Sequence, residues 1–168
     1  MLSESARAAS AAEARFRIND PNSRPRAIKI IALDRPSEDV VGRLAQSSWT
    51  SATFLTAFTS TPPRGKRFSM QGWLSDLAGH AKNLVDEIHD ADQVVMVATA
   101  GEDAQAASII GEACSLKRVV TTALVLGATS TSDEAVSRTL AQLRPWALML
   151  VIADAEEYIA DMLTALRA

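Results

Sequence analysis

The stretch Gln93-Val-Val-Met-Val-Ala-Thr99 is almost continuously apolar and rich in branched side chains. It is too short for a helix that spans a core and too continuous for a strand with one wet face. It reads as a strand buried on both faces, which requires a parallel sheet with helices above and below it. Four further runs share the character: 27–33, 51–57, 119–126 and 146–152. No apolar run, 147–153 included, approaches the ~20 residues of a membrane span.

Helical patterns fall between these runs. Pro36, Ser37, Glu38 and Asp39 open a helix with acids at its positive end, and Val40, Val41, Leu44 and Ala45 form its apolar face. Trp73, Leu77, Leu84 and Ile88 predict a helix over 71–89, weakened by Gly72 and Gly79. Ala106, Ile109, Ile110 and Ala113 fall on one side of a helix over 102–116. Ser132 caps a helix that ends before Pro145, and Asp154 caps a last one carrying Tyr158, Ile159, Met162 and Leu166. The expectation is an α/β fold: a doubly wound, mostly parallel five-stranded sheet, in a Rossmann-like or flavodoxin-like three-layer sandwich. Strand order stays open.

Residues 1–26 read as an N-terminal tail or peripheral helix, with Ser5–Phe16 helical and then broken by Asp20–Ser23 and Arg24-Pro25. Residues 27–168 read as one α/β domain, and a chain of 168 residues can build a core unaided. Hydrophobic residues at 48% and charged residues at 22% are ordinary globular composition. A net charge of −3 gives no electrostatic case for a nucleic-acid partner. The single cysteine, Cys114, excludes an internal disulfide and reads as a buried structural thiol. The expected location is cytoplasmic, since Glu4, Glu13 and Asp20 argue against a transit peptide despite five arginines in the tail.

Ligands of open parallel sheets bind beyond the carboxyl ends of the strands, so the loops there carry the functional question. The first, Asp34-Arg-Pro-Ser-Glu38, lacks the glycines of a dinucleotide site and would repel phosphate. The second carries Arg64, Lys66 and Arg67, the one concentrated positive patch outside the tail. The third, Thr99-Ala-Gly101-Glu102-Asp103, reads as structural capping, with Glu102 or Asp103 as the alternative general base or ribose or metal contact. The fourth, containing Gly127, Thr129, Ser130 and Ser132, offers hydroxyls and amides at a helix start, suited to capping or to a phosphate or carboxylate. His80 and His89 have no metal-ligand spacing, and no nucleophile elbow or Walker loop occurs. Trp49, Trp73 and Trp146 read as core or interface aromatics.

From Lys29 to Leu126 the order of elements resembles the N-terminal half of the bacterial tubulin-like division GTPases. The likeness rests on 51–57, on Asp90-Ala-Asp-Gln-Val-Val-Met-Val-Ala-Thr-Ala-Gly101, and on the alanine-rich helix 106–113 with its following strand. It implies a Rossmann-like nucleotide domain, and the departures imply that GTP binding has been lost. Where that family keeps a glycine-rich first loop, this chain has Asp34-Arg-Pro-Ser37. Where the family runs glycines and a threonine after the third strand, Glu102-Asp-Ala-Gln105 stands, and larger acidic side chains cannot cradle a triphosphate. The family's second domain has no room in 168 residues. The third loop is also similar to the Ser-x-Ser-Gly loop of phosphosugar-isomerase domains, but Ala98-Thr99-Ala-Gly101 lacks the serines.

The leading expectation is a small binding or regulatory domain without a reaction of its own, forming a homo-oligomer through the exposed side of the 73–88 helix or the final helix. The first alternative is an enzyme or sensor for a phosphorylated or carboxylated small molecule. There Arg64, Lys66 and Arg67 supply charge, 127–132 supplies donors, and Asp34, Glu102 or Asp103 supplies acid/base work. The second is an adaptor that binds another protein through the arginine-rich tail. No cofactor is specified, and no membrane partner is expected.

Overall fold

Five strands of the computed structural model, which describes residues 25–57 and 73–168, run parallel. They are β1 (Ile28–Ala32), β2 (Ala52–Thr56), β5 (Gln93–Thr99), β6 (Val120–Leu126) and β7 (Met149–Ala153). Two short strands, β3 (Trp73–Asp76) and β4 (Ala81–Asn83), add an antiparallel hairpin beyond β2. The order across the sheet is β4-β3-β2-β1-β5-β6-β7. Among the described residues the sheet is therefore seven-stranded, not five-stranded, and mostly parallel, in an α/β arrangement compatible with a Rossmann-like fold.

The two extra strands replace most of the helix expected over 71–89. Gly79 sits at φ 84°, a left-handed conformation that glycine adopts at no steric cost, and it closes the turn between β3 and β4. Asp76 holds that turn by accepting from the amides of Ala78 (3.0 Å) and His80 (2.8 Å). The His80 amide and imidazole hold the Asp76 carboxyl below its usual range. The helix begins only after Asn83, whose side chain accepts from the Val85 amide, so α2 spans Leu84–His89. The self-association face expected on the longer helix is lost with it.

The remaining α-helices among the described residues are α1 (Arg35–Leu44), α3 (Ala106–Lys117), α4 (Asp133–Leu143) and α5 (Glu156–Ala165); the helix expected over Ser5–Phe16 lies outside them. α1 and α5 cover one face of the sheet, where Val41, Leu44, Ile159 and Leu163 meet Ile28, Ile30, Val95 and Val97. α2, α3 and α4 cover the other, where Ile88, Ile110, Cys114 and Leu143 meet Ile31, Val94, Met96 and Val125. With both faces covered, β5 is buried from Gln93 to Ala98. Lys29 is the one charged residue on β1, and its Nζ donates to Glu87 Oε2 (2.8 Å) and Thr53 Oγ1 (3.3 Å).

Three local expectations shift. α3 starts at Ala106 rather than near 102, because residues 100–105 form the turn out of β5. Its buried face is Ala107, Ile110, Gly111 and Cys114, while Ile109 is exposed. Trp146 lies ahead of β7 and packs on Gly111, where even a methyl group would come within 2.5 Å of the Trp146 Cβ. Asp154 does not cap α5: Ala155 takes the cap position, and the Asp154 carboxylate accepts from the Thr129 amide (3.4 Å). Trp49 is a half-buried packing residue, donating to the Leu44 carbonyl (2.7 Å) and tilted against Phe54.

Candidate functional site

From β1 the chain crosses to β2 on one side, and from β5 it crosses to β6 on the other. The carboxyl ends of β1 and β5 therefore border the crevice where parallel sheets receive ligands. Asp34 fills it. Its side chain is buried, with Oδ1 accepting from the Ser37 amide (2.8 Å) and the Thr99 hydroxyl (2.9 Å), and Oδ2 accepting from the Thr99 amide (2.7 Å). Ser37 completes a reciprocal cap, because its hydroxyl receives the Asp34 amide (3.2 Å) and donates to the Asp34 carbonyl (2.9 Å). A negative group at the start of α1 is where an anionic ligand would be stabilised by the helix end. Here the protein supplies that group itself.

The next loop is engaged in the same way. Gly101, with φ 91°, donates its amide to Thr139 Oγ1 (3.0 Å), and the Ala104 amide donates to Gln142 Oε1 (2.7 Å). Asp103 Oδ1 accepts from the Gln105 amide (3.2 Å) and from Gln142 Nε2 (3.1 Å). The Glu102 amide closes a turn onto the Thr99 carbonyl (3.1 Å), and its own carbonyl accepts from the Thr139 hydroxyl (3.1 Å). The Glu102 side chain is exposed.

The hydroxyl-rich loop after β6 also turns inward. The hydroxyls of Ser130 (3.0 Å) and Thr131 (2.9 Å) both donate to the Gly127 carbonyl, and Ser132 Oγ accepts from the Ala135 amide (3.4 Å). The Thr129 amide reaches Asp154, which ties this loop to the end of β7. The loops after β1, β5, β6 and β7 are thus joined by side-chain hydrogen bonds to one another or to α4. Arg64, Lys66 and Arg67 lie outside the described residues. β2 ends at this same edge, where the Ala57 amide donates to the Ala32 carbonyl (2.9 Å).

The structure brings together Asp34, Thr99 and Ser37, and separately Gly101, Glu102, Asp103, Thr139 and Gln142. Thr139 and Gln142 were not among the candidates. Their one sequence signal is a threonine at a core-facing position of α4, between Ala135 and Leu143. Among the described residues, no three His, Cys, Asp or Glu side chains gather where they could hold a metal. His80 Nδ1 instead pairs with Asp76 Oδ2 (3.1 Å) on the exposed hairpin. A cleft of about 410 Å³ opens at the opposite, amino-terminal edge of the sheet, lined by Trp49, Thr50, Thr164 and Arg167 among others. Cys114 is buried in the core, and burial pushes its thiol up to about 12.

Among known proteins, the sequence matches no family model and no curated protein.

Proposed function

We propose that this chain is a small, doubly wound, Rossmann-like binding or regulatory domain that self-associates and performs no reaction in its strand-end crevice. The five parallel strands follow the order second-first-third-fourth-fifth along the chain, which supports a doubly wound sheet and, of its two common forms, the flavodoxin-like one. The observation that carries the reading is the Asp34 carboxylate, which takes the amides of Ser37 and Thr99 that an anionic ligand would need. Kinship with the tubulin-like GTPases is proposed in the same sense. The first loop, glycine-rich in that family, here holds a built-in anion. Among the described residues no helix is long and apolar enough to cross a membrane, and a cytoplasmic location is part of the proposal. Self-association is supported by Leu148 and Ile152 at β7 and Tyr158 on α5, large apolar side chains left exposed.

The test is a thermal-shift panel of GTP, ATP, NAD(P), phosphosugars and small carboxylates. A ligand at ~100 times its dissociation constant stabilises by about 2.7 kcal/mol, or roughly 5–10 °C for a domain of this size. No compound on the panel is expected to reach that range. A selective shift of that size would refute the reading and name the ligand class.

A further inference from the structure

The two edges of the sheet are unlike. β4 is three residues long and carries Lys82, the kind of short, charged edge that resists pairing. β7 is five residues of Met-Leu-Val-Ile-Ala, with no charge and no proline. It pairs with β6 on one side, and among the described residues no strand pairs with its other side. Half of its backbone donors and acceptors therefore face outward. Apolar side chains accompany them: Met149 is 43% exposed, Ile152 48% and the preceding Leu148 81%. On α5, Tyr158 is 52% exposed as well. Glu156 binds Arg43 of α1, and Tyr158, about 200° further round the helix, lies on the flank turned away from α1.

We infer that the outer edge of β7 docks a second copy of this chain, antiparallel, about a two-fold axis near Val151, so that two sheets join into one. The inference rests on the self-association proposed above and assigns its interface. An edge strand is its own complement in this arrangement, because two-fold pairing sets each open amide against a carbonyl of the same segment. Charge selects the direction. Arg144 precedes β7, whereas Asp154 and Glu157 follow it, and all three are exposed. Antiparallel docking lays the basic end of one copy beside the acidic end of the other, twice by symmetry, while a parallel arrangement sets like beside like. The open apolar side chains are few, so the expected dimer is micromolar, at the small end of specific interfaces.

Sedimentation of the full chain across the micromolar range tests this. The wild type is expected to dimerise with concentration. Ile152→Lys, which adds a charge to the open edge, is expected to weaken the dimer roughly tenfold or more without changing the circular-dichroism spectrum. Arg144→Glu is expected to weaken it several-fold, and Glu157→Arg in the same chain to restore it. A strictly monomeric wild type overturns both the interface and the self-association it rests on. A monomer whose β7 amides are nonetheless protected from exchange assigns the edge to another segment of the same chain. An Ile152→Lys dimer of wild-type strength overturns the β7 interface and leaves self-association standing. A charge swap that fails to restore binding overturns the antiparallel arrangement.

Discussion

Replacing Asp34 with alanine is the most direct test of the carboxylate that occupies the crevice. The side chain accepts three hydrogen bonds, from the Ser37 amide, the Thr99 amide and the Thr99 hydroxyl. Losing the helix cap costs about 0.5–2 kcal/mol. Leaving the partly buried Thr99 amide without an acceptor costs about 1–3 kcal/mol more. The sum is about 1.5–5 kcal/mol, which lowers Tm by roughly 3–20 °C in a domain of this length. Asp34→Asn keeps one acceptor oxygen and should lose about half as much. Urea denaturation followed by circular dichroism gives the free energy, and amide exchange at Ser37 and Thr99 locates the damage. The alanine variant also leaves those donors facing an open crevice, so inorganic phosphate should recover part of its lost Tm while leaving the wild type unmoved. A change below ~0.5 kcal/mol, the scatter of neutral surface substitutions, with Thr99 still protected from exchange, would refute the reasoning.

Three further perturbations bear on the core. Gly111→Ala places a methyl 2.5 Å from the Trp146 Cβ and 2.9 Å from its Cγ. Overpacking of about 1–3 kcal/mol should outweigh the ~1 kcal/mol gained in helix propensity, and a stabilised variant would show that Trp146 yields freely. Glu87→Leu strands the Lys29 ammonium beside Thr53 and should cost about 3–5 kcal/mol, whereas Lys29→Met with Glu87→Leu should recover most of it; chemical denaturation of the four-member cycle measures the coupling. The Cys114 thiol, raised by burial from 9.0 to about 12, should not react with Ellman's reagent at pH 8 until the chain unfolds. Because the folded state holds this proton more tightly, its contribution is complete below pH 9 and declines as pH rises from there toward 12. A Cys114→Ala variant whose stability falls equally steeply over that window would assign the decline to other groups.

How much of this was legible depended on whether the deciding contact was local. β5 has the expected limits, Gln93–Thr99, because a strand buried on both faces leaves no periodicity to misread. Asp34 was read as a charge that repels phosphate, and the reciprocal cap with Ser37 is local and visible in Asp34-Arg-Pro-Ser37. Its bonds to Thr99 require β1 beside β5, which no local pattern specifies. The same holds for Thr139 and Gln142, whose partners lie in the turn between β5 and α3. The helix over 71–89 failed for a different reason. Trp73, Leu77, Leu84 and Ile88 imitate helical spacing, but Asp76 and Gly79 turn the chain between them, and turn chemistry outweighs apolar spacing. The buried face of α3 lies one residue on from the expected one, because alanines on both its sides leave little contrast between faces.

The placement of β1 between β2 and β5 has a consequence for how the chain is made. β1 is a central strand, yet it is the first of the described strands to leave the ribosome, and its contacts with β5 bridge 65 residues of chain. Until Thr99 has emerged, Ile28, Ile30 and Ile31 have β2, α1 and α2 for company but not β5, and one side of a strand destined for full burial stays open to water and to other chains. Closure of the β1–β5 pair is a long-range event that carries the entropy of a large loop. Co-translational folding should therefore proceed in one late step once β5 is available, and a nascent chain stalled before residue 93 should be the species that most needs a chaperone.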